Sequence, residues 1–159
     1  MGHDITAKRP SVDATALWEK FDLDNEYEDW AWRVYEYRDL TEIAYIRRSA
    51  RDPLNQVLYL ALGVMDEAYA DVSGNGVELD ISRDQFCAAK RILESKQFAG
   101  MTRDRNAADD LMEMVTKLGG KDLAIVDDHA DVTREHDFIE RCITYLESEG
   151  LEALTVNSA

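Results

Sequence analysis

The chain contains 159 residues, of which 33 are Asp or Glu and 18 are Lys or Arg, so its formal charge is -15. A surface this acidic argues against direct binding of nucleic acid, because phosphate groups are bound by clusters of basic side chains. The apolar fraction of 45% is ordinary for a globular protein, and the length is sufficient for one domain with its own hydrophobic core.

Two features of the sequence predict a cytoplasmic location. Cys87 and Cys142 both fall beside core positions of predicted helices, where a reduced thiol behaves as a small apolar side chain. No apolar run is long enough to cross a membrane, and the first residues lack the hydrophobic region of a signal peptide. We therefore expect neither export nor a membrane partner.

Two helices are predicted in the N-terminal part of the chain, over residues 13–21 and 25–38, from apolar side chains at helical spacing. The second is rich in aromatic residues, which either pack in a core or contact a partner. Three of them are candidate anchors for a partner protein: Trp30, Trp32 and Tyr35.

A β-strand is predicted over residues 42–48, where strand-forming side chains alternate with a period of two. Its expected partner is the N-terminal segment 3–7, in which Ile5 and Thr6 favour extended structure. Since two strands alone are marginally stable, such a ribbon must pack on helices. A continuation of the preceding helix is an alternative that the pattern leaves open.

The rest of the chain has helical character. A wide apolar stripe predicts a helix over residues 52–70, and a capping box formed by Ser82 and Gln85 predicts the start of another. Two further helices are predicted over residues 104–118 and 127–149 from their apolar spacing.

Together these elements predict a mainly α protein with five to six helices and a small two-stranded β-ribbon that pairs the N-terminus with residues 42–48, an α+β arrangement. Residues 1–154 are expected to form one compact domain with a helical insertion at about residues 9–40. The last residues, 155–159, are expected to fray.

Paired carboxylates on two of the predicted helices are candidate magnesium ligands: Asp109, Asp110, Glu113, Asp128 and Asp131. Their spacing resembles the E-E-x-x-E and E-x-x-D signature of the all-α nucleotide pyrophosphohydrolases. The resemblance implies a magnesium cofactor that activates water against a nucleoside triphosphate. Three of the four defining Glu positions are Asp here, and exposed acidic helix faces produce the same spacing. We therefore expect no cofactor and no catalytic residue, with the hydrolase as an alternative.

A second candidate site groups cations with a glycine-rich turn, which can bind a phosphate or a carboxylate: Arg47, Arg48, Ser73, Gly74, Asn75 and Gly76. Ion pairs between these arginines and the surplus of acids are the alternative use of the charge.

Three segments resemble a set of small uncharacterised proteins of phages and bacteria: GHDI at residues 2–5, EIAYIRRSA at 42–50 and SGNG at 73–76. In those proteins the first two segments lie closer together, which makes residues 9–40 an insertion. The resemblance supports pairing of the two strand candidates and a phage or prokaryotic cytosolic setting. It implies no activity.

The acidic residues are unevenly distributed, because the segment from Asp122 to Ala159 holds ten acids and two bases. We expect a non-enzymatic protein that docks a basic surface of another protein, with nucleic-acid mimicry or inhibition as one form of that role. The acidic last helix would steer the encounter. The alternatives are the magnesium-dependent hydrolase, and an anion or nucleotide binder at the second site. Adaptation to a high-salt cytoplasm is a separate explanation of the charge.

Overall fold

The protein is described by a computed structural model over residues 2–49, 52, 54–68, 76–96 and 130–159. The helices and strands in these ranges are, in chain order, β1 (Gly2–Lys8), α1 (Ala14–Lys20), α2 (Trp30–Thr41), β2 (Glu42–Ser49), α3 (Leu54–Leu62), α4 (Met65–Ala68), β3 (Glu78–Ser82), α5 (Arg83–Ser95), α6 (Thr133–Glu149) and β4 (Ala153–Ser158). The predicted helix over residues 104–118 lies outside the described residues. None of the helices in the described ranges is long and apolar enough to cross a membrane.

The strands of the described chain form one four-stranded antiparallel sheet with the order β2-β1-β4-β3. The predicted pairing of the N-terminus with residues 42–48 is present, with Gly2 opposite Ser49 and Ala7 opposite Ala44. This ribbon is only part of the sheet, because β4 pairs with β1 on one side and with β3 on the other. The expectation of a mainly α protein with a two-stranded ribbon was therefore wrong, and the fold is α+β with a larger sheet.

The C-terminal strand departs most clearly from expectation. Residues 155–159 were expected to fray, but Ala153–Ser158 is β4, an inner strand of the sheet. Leu154, Val156 and Ser158 are buried and alternate with more exposed neighbours, which is the pattern of a strand with one face on the core. Pairing on both sides supplies backbone partners that a free tail lacks, so contacts distant in sequence place this segment.

The hydrophobic core lies between one face of the sheet and the helices α3, α5 and α6. The strands contribute a set of buried apolar side chains: Ile5, Ala7, Ala44, Ile46, Leu79, Ile81, Leu154 and Val156. The helices contribute larger side chains that are less than 2% exposed: Tyr59, Phe86, Phe138, Ile139 and Leu146. Removal of this apolar surface from water is the main favourable contribution to folding.

Local sequence signals set three of the helix ends. Ser82 Oγ accepts a hydrogen bond from Gln85 N at 3.2 Å, and Gln85 Oε1 accepts one from Ser82 N at 2.9 Å, which confirms the predicted capping box. The helix predicted over residues 52–70 is interrupted at Gly63, whose φ of +71° ends α3 before α4 begins. Gly150, with a φ of +64°, ends α6.

Residues 10–41, here called the arm, connect β1 to β2 and contain α1 and α2. The arm corresponds in position to the predicted helical insertion at about residues 9–40. No residue of α1 is buried, and Thr41 is the buried residue of α2, so the arm contributes little to the core. Most of its side chains are therefore presented to solvent.

Candidate functional site

The arm carries a concentration of exposed aromatic side chains. Tyr27, Trp32 and Tyr35 are 63%, 62% and 66% exposed, and the rings of Trp32 and Tyr35 are stacked with their centroids 5.9 Å apart. The exposed large hydrophobic side chains of the described residues all lie on the arm or on the adjacent strand β2: Trp18, Tyr27, Trp32, Tyr35, Leu40 and Tyr45. Exposed aromatic surface is unfavourable in water, and its grouping on one segment is a feature that binding surfaces share.

The three aromatic residues predicted as anchors occupy two different environments. Trp32 and Tyr35 lie together on the exposed side of α2. Trp30 is half-buried, and its indole N–H donates to the carbonyl oxygen of Leu23 at 3.1 Å. Trp30 therefore stabilises the arm, while the exposed pair is accessible to a partner.

Arg33 holds the arm in its shape. Its guanidinium donates to the carbonyl oxygens of Phe21, Asp22 and Asn25 at 2.7, 2.6 and 2.9 Å, and it pairs with the Asp29 carboxylate at 3.0 Å. These contacts join the turn after α1 to α2, so the exposed rings belong to a pre-organised segment. A surface that is already ordered loses less conformational entropy on binding.

The arm is also strongly acidic. It holds nine acidic residues and three basic ones, a formal charge of -6 over residues 10–41. Two of its bases are engaged, because Arg33 pairs with Asp29 and Arg38 pairs with Glu42 at 3.2 Å. Carboxylates and exposed aromatic rings both attract Lys and Arg side chains, the first by ion pairing and the second by cation–π contacts.

A groove of about 580 Å³ lies beside the arm, between α2, β2 and α6. Residues 42–45 of β2 line it, Tyr35 and Asp39 extend into its lining from α2, and Asp137 does so from α6. Tyr35 belongs both to the stacked aromatic pair and to this groove. The groove and the stacked pair of Trp32 and Tyr35 therefore form one continuous surface.

Arg38 links α2 to β2 at the groove. Its guanidinium lies 3.8 Å from the centre of the Tyr45 ring and 3.2 Å from the Glu42 carboxylate. Burial raises the pKa of Glu42, although Arg38 opposes this effect. Burial and the hydrogen bond that the Tyr45 hydroxyl donates to Asp4 raise the pKa of Tyr45. Asp39 is exposed and forms no ion pair with any residue that the structure describes, so it can accept a basic group from outside.

The two arginines of the predicted anion site point to opposite faces of β2. Arg47 lies on the solvent side, where its side chain is 62% exposed and 3.8 Å from Asp4. Arg48 points into the protein, and its side chain is 12% exposed. Consecutive side chains of a strand alternate between faces, so these two guanidinium groups do not bind one anion together.

Arg48 is instead neutralised by Glu135, a residue that was not among the sequence candidates. Its Nε and Nη2 atoms donate to the two carboxylate oxygens of Glu135 at 2.8 and 3.1 Å, and Glu135 is 1% exposed. Asp52 lies 3.4 Å away on the other side. Burial opposes the charge of Arg48, but the hydrogen bond and charge of Glu135 outweigh it and raise the pKa of Arg48. Glu135 shares a helix face with Phe138 and Ile139, and this spacing was the available signal.

A second buried polar contact lies next to this ion pair. His3 is opposite Arg48 in the sheet, and its Nε2 atom is 2.8 Å from the hydroxyl of Tyr59. His3 is 5% exposed and Tyr59 is fully buried. Buried polar groups are stable only when they are hydrogen-bonded, so this end of the core depends on specific partners.

Most of the remaining candidate residues lie outside the described residues: Ser73, Gly74, Asn75, Asp109, Asp110, Glu113 and Asp128. Gly76 is described, and its N–H donates to the carbonyl oxygen of Ser158 at 2.7 Å. Asp131 is exposed and accepts hydrogen bonds from Thr133 Oγ1 at 2.6 Å and Thr133 N at 3.1 Å, which lower its pKa. Both described candidates therefore have local structural contacts.

A cluster of ionisable groups bridges α5 and α6 on the surface. His136 Nε2 lies 2.9 Å from Glu94, and His136 Nδ1 lies 3.9 Å from Glu140, in an arrangement that can hold a metal ion. The hydrogen bond with His136 lowers the pKa of Glu94. Lys90, however, places its ammonium group 3.4 Å from Glu140 and 3.9 Å from Glu94, where it balances the same carboxylates. Sequence spacing could not reveal this cluster, because Glu94 lies on another helix.

The two cysteines are both free, and burial raises the pKa of the Cys142 thiol to about 12. A thiol held in its protonated form is a poor nucleophile. Cys142 is therefore a packing residue.

No protein-family model, curated protein or solved structure matches this chain. The resemblance to small phage and bacterial proteins stays a prediction.

Proposed function

We propose that this protein binds a basic surface of another protein through the arm, and that it acts by binding rather than by catalysis. The observation that carries this proposal is the exposed, stacked pair of Trp32 and Tyr35 on a segment with a formal charge of -6. Aromatic residues dominate the energetics of many interfaces, and surrounding acids select a basic partner. Occupation of a partner's nucleic-acid-binding surface is one form of this function.

Attraction at a distance and contact at close range have different sources in this proposal. The net charge of -15 accelerates encounter with a basic partner, an effect that salt screens. At contact, the rings of Trp32 and Tyr35 cover apolar stems and guanidinium groups, which salt weakens much less. A cytoplasmic location is part of the proposal, and the free thiols of Cys87 and Cys142 suit a reducing compartment.

No observation on the described residues favours either alternative function. Most candidate magnesium ligands lie outside the described residues, and Asp131 has a local role at the start of α6. Arg48, one of the two arginines of the anion site, is neutralised by Glu135.

The first test uses tryptophan fluorescence, because the three tryptophans of the chain, Trp18, Trp30 and Trp32, all lie on the arm. An end-capped octapeptide of alternating Arg and Val serves as the probe, and the same peptide with Glu in place of Arg is the control. We expect the basic peptide to change the emission with a Kd that rises as NaCl increases from about 50 to about 500 mM, since exposed charges are screened over this range. The acidic peptide should have no effect.

Substitutions then locate the binding surface by calorimetry. Trp32→Ala with Tyr35→Ala should weaken peptide binding by about tenfold or more, because anchor residues carry most of the energy. Glu26→Gln with Glu28→Gln should reduce both affinity and salt dependence. Asp66→Asn with Glu67→Gln on α4 is the matched control, since it removes two exposed acids away from the arm. Equal losses in both charge variants, or an affinity that does not respond to salt, would contradict the proposal.

A further inference from the structure

We propose that the outer edge of β2, which pairs with no other described strand, is the docking edge for the partner, and that an extended basic segment adds to the sheet there as a further strand. This segment pairs its backbone with Tyr45 and Arg47 and continues into the groove between α2 and α6. The inference rests on the proposed function and specifies how the partner is held.

The direction of the backbone groups follows from β1. Asp4 exchanges two backbone hydrogen bonds of 2.8 Å with Ala159, so its N–H and C=O point towards β4. These groups alternate in direction along an antiparallel strand. The backbone N–H and C=O groups of His3 and Ile5 therefore point towards β2 and form hydrogen bonds with Arg48 and Ile46, the residues opposite them.

Tyr45 and Arg47 lie between those bonded positions of β2, so their N–H and C=O groups point away from the sheet. The carbonyl of Ser49, two residues further, agrees with this alternation, because it accepts hydrogen bonds from Asn55 Nδ2 at 2.6 Å and Asp52 N at 2.9 Å, and neither donor belongs to β1. Within the described ranges, no hydrogen bond reaches the backbone N–H or C=O of Tyr45 or Arg47. Each of the two residues thus offers one donor and one acceptor.

Unpaired strand edges are templates for another strand, and peptide recognition by strand addition uses such edges. Among the described strands, the two at the edges of the sheet are β2 with eight residues and β3 with five. The groove lies beside β2, so an added strand there has side-chain contacts as well as backbone pairing.

The α2 side of the edge favours a basic residue on the added strand. Alternate side chains of an extended peptide point to opposite sides, where they meet α2 on one side and α6 on the other. Tyr35 and the unpaired carboxylate of Asp39 lie on the α2 side, whereas Asp137 on the α6 side is already paired with Arg141 at 2.9 Å. A Lys or Arg of the peptide can pair with Asp39 and cover the Tyr35 ring.

A second copy of this chain fits the edge less well than a basic peptide. Two copies bring together surfaces with a formal charge of -15 each, which repel one another. Residues 42–45 of β2 also border a groove to which α2 and α6 both contribute. A single strand fits between two helices more easily than another helix-flanked sheet edge does.

The substitution Arg47→Pro tests the backbone contact directly, and Arg47→Ala is its matched control. Both variants remove the Arg47 side chain, but only Pro removes the outward N–H, and edge strands tolerate Pro where the N–H faces solvent. With the Arg-Val octapeptide we expect Arg47→Ala to bind about as well as the unmodified protein. Arg47→Pro should bind about fivefold more weakly or worse, the effect of one lost hydrogen bond. Equal affinities of the two variants overturn the proposal.

Amide hydrogen exchange on the unmodified protein gives an independent test if Arg47→Pro fails to fold. The Tyr45 and Arg47 amides should exchange rapidly in the free protein and become protected when the peptide binds. The Ile46 and Arg48 amides should be protected in both states, because they face β1. Protection of Tyr45 and Arg47 without peptide, together with dimers in sedimentation, would identify a second copy as the occupant and overturn the proposal.

Failure of strand addition at β2 can be distinguished from failure of the proposed binding through the arm. Salt-dependent peptide binding that requires Trp32 and Tyr35 but leaves the β2 amides unprotected refutes strand addition and retains the proposed function. Protection of the Tyr45 and Arg47 amides by the peptide in the Trp32→Ala, Tyr35→Ala variant, with unchanged affinity, supports the docking edge and removes the role of the arm.

Discussion

Replacement of Arg48 by Met would leave the carboxylate of Glu135 inside the protein without its partner. Glu135 is 1% exposed, and both of its oxygens accept hydrogen bonds from Arg48 at 2.8 and 3.1 Å. Loss of one member of a buried ion pair destabilises a protein by roughly 3–5 kcal/mol, because a desolvated charge remains. We expect Arg48→Met to lie near the upper end of this range.

The reciprocal change, Glu135→Leu, should lower the free energy of unfolding by a smaller amount. In Glu135→Leu the remaining Arg48 is still 12% exposed and lies 3.4 Å from Asp52, so part of its charge stays compensated. We expect a loss near about 3 kcal/mol. In the double variant no buried charge remains and two apolar side chains fill the site, so its stability should approach that of the unmodified protein. The coupling energy between the two positions should then be at least about 3 kcal/mol.

Urea unfolding followed by far-ultraviolet circular dichroism measures these free energies, because the signal reports on the helices and the sheet. The exposed pair formed by Arg83 and Glu147 is the matched control, with a distance of 3.0 Å and side chains that are 45% and 54% exposed. The same Met and Leu substitutions there should give a coupling below about 1 kcal/mol. If the losses at Arg48 and Glu135 simply add, the buried pair has no special energetic role and the reasoning fails.

Further predictions concern helix ends, titration and salt. Gly150→Ala should lower the free energy of unfolding by about 1 kcal/mol, because the φ of +64° is strained for a residue with a Cβ while no atom crowds that Cβ; an unchanged urea midpoint would contradict this. Ser82→Ala should also cost about 1 kcal/mol through loss of the capping box, with Ser82→Asp as a variant that retains most of the stability. Burial raises the pKa of Cys142 from 9.0 to about 12, so between these values the folded state retains a proton that the unfolded state releases. The contribution of this thiol to the free energy of unfolding is therefore intact below pH 9 and is lost as the pH rises towards 12. Cys142→Ala should remove this part of the pH dependence. NaCl should raise the melting temperature by screening the repulsion within a chain of charge -15, and a melting temperature that is flat or falls with salt would refute this account of the charge.

Features that depend on a few neighbouring residues could be read from the sequence. The capping box of Ser82 and Gln85 requires residues three positions apart, and it is present. The alternation over residues 42–48 predicted β2, and the extended N-terminal segment proved to be its partner. The density of aromatic residues pointed to Trp32 and Tyr35, although only the folded arm distinguishes this exposed pair from Trp30.

The sheet and the buried charges required the tertiary structure. Residues 155–159 were predicted to fray, because the hydrogen bonds that make Ala153–Ser158 a strand come from β1 and β3, which are distant in sequence. The sequence predicts Arg48 as an anion-binding residue, but in the structure it forms an ion pair with Glu135, 87 residues away. By itself, the sequence determined the acidity and the local helix and strand signals, because these depend on composition and near neighbours. The folded chain alone decided which charges are paired and which strands are neighbours in the sheet, because those depend on contacts between distant segments.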